Sequence, residues 1–321
     1  MDLNSTLNYR EQRSVERNTM KSSILFQNQP VAQITHGPDQ VLVSPGHGAR
    51  ILRWEREGRQ IITWPENADW GKILKVRGGN PVLFPFIARH FIDGKNELWR
   101  DAAGTVRAMP QHGFARDASF LVIEGEPENS LRMRLVDSDD TRAIYPFGFQ
   151  FDVVVSLQTG SRLEVRFEMT NTGDHPLPYY AGHHFYFALP NLERSDWTLH
   201  LPCAAWGRQS PDGAIVREEA RETDLRLDDS APIDRFQIGP KESKVTLQNA
   251  KTGRQLVFEL DHAGSVPWYA VTTWTEKADS DFYCVEPWLG LPNAIHHGEG
   301  LRQLAPGAKE IARLVLDGSG W

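Results

Sequence analysis

From Val41 onward, short apolar runs alternate with turn-forming residues, a rhythm that predicts strands. Such runs occupy 41–44 (VLVS), 49–55 (ARILRWE), 60–64 (QIITW), 119–125 (SFLVIEG) and 131–137 (LRMRLVD). They continue at 149–157, 162–171, 197–201 and 243–249, and in the last third at 254–260, 268–274, 282–288 and 309–317. Within 162–171, Leu163, Val165 and Phe167 point one way while Glu164, Arg166 and Glu168 point the other. Period two marks a strand, and this apolar/polar split suits an antiparallel sheet with one face on a core and one in water. The separators carry turn chemistry: Gly-Asp-His-Pro at 173–176, Ser-Pro-Asp-Gly at 210–213 and Lys-Thr-Gly at 251–253. Helical periodicity is nearly absent, and the charged stretch 214–227 fits neither pattern. Regular strand and turn spacing along the chain predicts an all-β fold, mostly antiparallel, built as one large sandwich or barrel. With no internal repeat, low-complexity segment or linker, residues 24–321 are expected to form a single domain, preceded by a polar, flexible tail at 1–23.

Composition narrows the function classes. The 321 residues are 40% hydrophobic, enough to bury a sizeable core. A net charge of -7 provides no basic footprint for nucleic acid or an anionic membrane. Residues 1–23 lack the apolar stretch of a signal peptide and no segment reaches the length of a membrane span, so a cytoplasmic location is expected. Cys203 and Cys284 are too few for a disulfide scaffold or a structural zinc site; reduced, core-packed thiols are expected.

Four segments place titratable residues within apolar strands or at Gly/Pro corners. In GGNPVLFPFIARH (78–90), two glycines and two prolines impose an irregular backbone and Arg89 ends the apolar run. In PQHGFARD (110–117), His112 precedes a glycine that permits close backbone approach, and Arg116 follows. In YYAGHHFYFALP (179–190), the adjacent His183 and His184 cannot share one strand face, and the surrounding rings suit the C–H faces of a sugar. In CVEPWLGLPNA (284–294), Glu286 has apolar neighbours that desolvate it and raise its pKa, the property of a general base. Each feature also has a structural reading: a surface arginine pair, a structural histidine, an aromatic core strand and a buried ion pair.

Absent motifs exclude other chemistries. No GxGxxG, GxxxxGK[ST] or GxSxG sequence occurs, so no nucleotide cofactor or nucleophile elbow is expected. His112, His183, His184, Glu286, His296 and His297 could be assembled into a ligand set, but no HxH, HExxH or CxxC spacing supports one. Neither a metal nor a cofactor is therefore expected. Acid–base chemistry by side chains remains.

In their order and separation, PQHGFAR (110–116), HHFYFALP (183–190) and VEPWLGLPNA (285–294) resemble the aldose 1-epimerase (galactose mutarotase-like) superfamily, over roughly residues 38–318. The resemblance implies a β-supersandwich with a concave sugar-binding face, and cofactor-independent interconversion of α and β anomers. Carried over by motif position, Glu286 takes the proton from the anomeric hydroxyl, His184 protonates the ring oxygen, and His112 holds that oxygen. Arg89 binds sugar hydroxyls and Asp234, in APIDRFQIGP, orients one. His183 stands where the family often has asparagine, so which histidine faces the sugar stays open and both are carried as site residues.

The implied partner is a small sugar, a free aldose in preference to a hexose 6-phosphate, on a monomer or homodimer. PQHGFAR also resembles the branch that includes hexose-6-phosphate mutarotases. A phosphate would require some of Arg77, Arg89, Arg100 and Arg116 to converge, which spacing does not reveal. A non-catalytic carbohydrate-binding or regulatory protein on the same fold is the alternative. A carbohydrate lyase or hydrolase on a large β-sandwich is a third reading.

Overall fold

The computed structural model describes residues 19–321. Among them, two large antiparallel sheets face one another. The first runs Thr19–Phe26, Gln29–His36, Asp39–Ser44, Arg50–Arg56, Arg59–Ile62, Phe185–Ala188, Phe282–Trp288, Ala270–Trp274, Arg235–Pro240, Cys203–Gln209 and Ile215–Glu219. The short strands Gly182–His183 and Val82–Leu83 attach beside Phe282–Trp288. The second sheet runs Leu121–Ile123, Ser130–Val136, Phe149–Gln158, Arg162–Asn171, Lys309–Asp317, Gln255–Glu259, Lys244–Asn249, Trp197–His200 and Asp224–Arg226. The all-β, mostly antiparallel sandwich expected from the sequence is the architecture found. No described helix is long and apolar enough to cross a membrane.

Period two places one apolar row of each sheet in a shared core. Leu163, Val165, Phe167 and Met169 of one sheet pack in the same cluster as Phe185, Phe187, Tyr283 and Val285 of the other. Phe84 stacks on Phe151 at a centroid distance of 4.4 Å. Fully burying each such side chain stabilises the fold by about 1.5–3 kcal/mol relative to exposure.

The structure departs from expectation in three places. The expected tail overlaps the first strand, since Thr19–Phe26 pairs along its length with Gln29–His36; residues 1–18 lie outside the described residues. The stretch 214–227 contains two edge strands, Ile215–Glu219 and Asp224–Arg226, whose charges are tolerated because neither lies in a sheet interior. The polar row of Arg162–Asn171 is not open to water: Glu164 and Glu168 are 3% and 5% exposed. Arg132, Arg166 and Lys309 meet Glu168, while Arg166 and Arg313 meet Glu164, so long basic side chains roof the carboxylates. Burial alone would raise the Glu168 carboxyl, but Arg132 and Lys309 hold it at about 2.

Candidate active site

Strand register assembles the centre of the site. Gly182 lies opposite Trp288 and Phe185 opposite Val285, and the same register sets His184 across from Glu286. On the other side of Glu286 lies Thr272, and beyond it Phe236. Tyr283 and Val285 enter the core. The alternate residues Glu286 and Trp288 therefore face the opposite side, where they line a cavity of about 550 Å³. His184, Thr272, Phe236, Tyr186 and Trp274 share that lining. The volume falls within the usual range for small-molecule sites.

His184 Nδ1 stands 3.3 Å from Glu286 Oε1 without the alignment of a hydrogen bond. Tyr186 stacks parallel to the His184 ring at 4.8 Å, and Trp274 meets it edge-on at 5.7 Å. The His184 N–H donates to Asn80 Oδ1 at 2.9 Å, and the Asn80 amide donates to His183 Nδ1 at 3.0 Å. One asparagine thus braces both histidines. His183 itself is fully buried, with its ring 4.3 Å from that of Phe167 and 5.2 Å from Trp268. Its expected place among the substrate-binding residues is therefore corrected: strand alternation sends His183 into the core and His184 into the cavity.

His112 reaches the cavity from the corner 110–117. Its N–H donates to the Ala88 carbonyl at 2.8 Å, and the Ala88 N–H donates back to His112 Nδ1 at 3.1 Å. With Nδ1 accepting, the proton of the neutral ring sits on Nε2. The His112 and His184 ring centroids are 5.5 Å apart. Arg89, Arg116 and Asp234 also line the cavity, so it gathers every expected site residue except His183.

Burial dominates the electrostatics. Desolvation, reinforced by the negative charge of Asp234, raises the Glu286 carboxyl well above the usual carboxylate range. Desolvation, with Arg50, Arg116 and Arg77 nearby, lowers His184 to about 3. His112 is lowered well below its ordinary value by burial and by His184. Desolvation also lowers His90 and His183, each to about 3.

These four histidines give a signed prediction. The folded state binds fewer protons than the unfolded chain below pH about 6.5, so stability is present above that pH and is lost as pH falls. The linkage slope is on the order of 1 kcal/mol per pH unit for each histidine, partly offset by the proton that buried Glu286 retains in the same window. Thermal melts between pH 7 and 5.5 are expected to show a Tm drop on the order of 5–10 °C. A flat profile over that interval would contradict the buried neutral histidines.

Basic residues supply much of the charged lining of the cavity. Arg50, Lys75, Arg77, Arg89 and Arg116 line it, against the carboxyl groups of Asp234 and Glu286. Arg50 is committed to structure, donating to the carbonyls of Ile73, Val76 and Gly78. Arg77 pairs with Glu276 at 3.0 Å and lies over the Trp274 ring. Arg116 Nε is buried without a partner. Arg100, one of the four arginines considered for a phosphate, does not line the cavity and lies near Asp93. Sequence reasoning passed over Asn80, Arg50, Lys75 and Thr272. For Asn80, its position between Gly79 and Pro81 in an irregular segment was the available signal.

Cys203 and Cys284 are free and buried. The six residues weighed as a ligand set do not all come together: His183 is in the core, and His296 and His297 sit on the short helix Ala294–His297 outside the cavity lining. A different trio does converge. His184, Cys284 and Glu286 bring ligand-type atoms within 4.8 Å of one another.

Two facing antiparallel sheets carry a polar cavity lined by His112, His184 and Glu286, and the fold is that of galactose mutarotase-like proteins. The chain belongs to the aldose 1-epimerase family, whose model it matches over residues 30–316. It is 25% identical over 240 residues to the chromosomal protein LacX of Lactococcus lactis subsp. lactis, covering 69% of this chain and 77% of that protein. Among solved structures it is similar to the Slr1438 protein from Synechocystis sp. PCC 6803, with a TM-score of 0.75 and 23% identity over 93% of this chain and 95% of that one. It also resembles the galactose 1-epimerase from Lactobacillus acidophilus NCFM, with a TM-score of 0.70 and 13% identity over 93% and 98% of the two chains. At these identities the structural likeness speaks for the fold alone.

Proposed function

We propose that the chain is a mutarotase that interconverts the α and β anomers of an aldose carrying an anionic group, a hexose 6-phosphate being the simplest case. The observation that carries the acid–base part is the cross-strand pair His184 and Glu286, 3.3 Å apart on the floor of the cavity. Glu286, desolvated and therefore strongly basic when ionised, takes the proton of the anomeric hydroxyl. His184 delivers a proton to the ring oxygen as the C1–O5 bond breaks, and the Nε2–H of His112 holds that oxygen. The open-chain aldehyde turns about C1–C2, and the reverse transfers close the ring on the other face. One proton leaves O1 and one reaches O5, so the cycle balances.

The anionic group is supported by Lys75, Arg77 and Arg116 on the same cavity, with the unpartnered Arg116 Nε most telling. Arg50, Arg77 and Arg116 also help keep His184 unprotonated. An anion bound among them offsets that charge and favours the imidazolium that the acid step requires.

The test is NMR of anomer exchange after dissolving α-glucose and α-glucose 6-phosphate, with and without protein. The expected result is faster exchange, with the larger kcat/KM for the phosphate. Arg116→Gln is expected to lower kcat/KM for the phosphorylated sugar by about 10–100-fold and for the free sugar far less. Equal losses on both sugars would remove the anionic preference. Sugar affinity in calorimetry without any accelerated exchange would favour the non-catalytic binding protein instead.

A further inference from the structure

Cys284 has no part in the proposed proton transfers and does not line the cavity, yet it lies directly behind residues that do. It is two residues before Glu286 on the same strand and so on the same face, opposite Tyr186 on one side and Trp274 on the other. Cys284 is fully buried and Glu286 is 2% exposed. His184 Nδ1 is buried beside them with no hydrogen-bond partner. A ring nitrogen of His184, the Cys284 sulfur and a Glu286 oxygen all lie within 4.8 Å of one another.

Nitrogen, sulfur and oxygen donors therefore lie close together, and two of the three residues, His184 and Glu286, line the cavity. That mixture suits a borderline-soft divalent ion; magnesium and calcium favour shells made of oxygen. Tetrahedral zinc bonds of about 2.0–2.3 Å set neighbouring donors roughly 3.3–3.8 Å apart. Side-chain movements on the order of 1 Å would bring the trio to that spacing. Three protein ligands would leave the fourth position to a water from the cavity.

We propose that His184, Cys284 and Glu286 form a binding site for a zinc-type divalent cation, and that occupancy blocks the reaction centre. Binding exchanges the Cys284 thiol proton, and any proton held by Glu286, for the ion; both protons pass to solvent. Occupancy removes the proposed acid and base together. That the ion inhibits rests on the mutarotase reading, whereas the binding rests on the three side chains alone.

Cadmium titration of the metal-free protein separates the two claims. A thiolate-to-cadmium charge-transfer band saturating at one ion per chain is expected, retained in Cys203→Ser and lost in a folded Cys284→Ser. X-ray absorption of the zinc-loaded wild-type protein needs no variant and is expected to show one sulfur in the metal shell. A band unchanged in Cys284→Ser, or a shell without sulfur, would overturn the site. In the exchange assay, zinc is expected to inhibit the wild type. Cys284→Ser should keep its basal rate and lose inhibitor affinity by about tenfold or more. If no exchange is catalysed on any sugar, the mutarotase reading fails while the cadmium and absorption results still decide the metal site.

Discussion

Glu286→Gln is expected to slow anomer exchange by about 10²–10⁴-fold while leaving sugar binding largely intact. Glutamine preserves the shape of a side chain that is 2% exposed beside His184, so the cavity lining should persist. What disappears is the group that accepts the anomeric proton. The same substitution should stabilise the protein at neutral and alkaline pH. The folded-state pKa of Glu286 is raised by burial, so the folded chain holds a proton that the unfolded chain releases above its ordinary value of 4.5. The stability this contributes is full below that value and is lost as pH rises through the raised pKa. Melting curves of wild type and variant should therefore diverge upward from acid pH, with the glutamine form higher. Retention of the full exchange rate would sink the proposed base. A lower Tm at pH 8 would sink the account of its burial.

Gly113→Ala is expected to destabilise the fold by at least about 3 kcal/mol and to cut the exchange rate as well. His112 and Gly113 occupy consecutive left-handed conformations, at φ 67° and 74°. A Cβ on Gly113 would lie 2.0 Å from the Phe84 carbonyl oxygen. That oxygen accepts from the N–H groups of Phe114 and Ala115 at 3.0 and 3.1 Å, so it has little freedom to retreat. Left-handed geometry costs alanine about 1–2 kcal/mol, and each displaced hydrogen bond adds about 1 kcal/mol. The corner also aims His112, and a displacement of about 1 Å in a reacting group can cost 10²-fold in rate. Urea midpoints and exchange rates measured together are the check. A variant as stable and as fast as wild type would mean that this close approach does not position His112.

The proposed chemistry and the fold were legible in the chain to different depths. Apolar runs between turn residues located Arg162–Asn171, Phe282–Trp288 and Lys309–Asp317 with their observed ends, because strand composition and turn chemistry are local properties of the chain. The Ile215–Glu219 edge strand was obscured because half its surroundings are water and its composition carries no apolar rhythm. Adjacent histidines on a strand had to face opposite ways, but the assignment of His184 to the cavity and His183 to the core came from sheet pairing.

The sequence by itself determined most of the core strands, the turns between them and the apolar setting that desolvates Glu286, since these depend on residues within a few positions of one another. The tertiary structure alone decided that Asn80 braces both histidines, that Arg77 and Arg116 meet at the cavity while Arg100 does not, and that Cys284 joins His184 and Glu286. Those relations depend on register across strands and on loops closing over a sheet. Residues a hundred positions apart become neighbours there, and no local pattern encodes the distance between them.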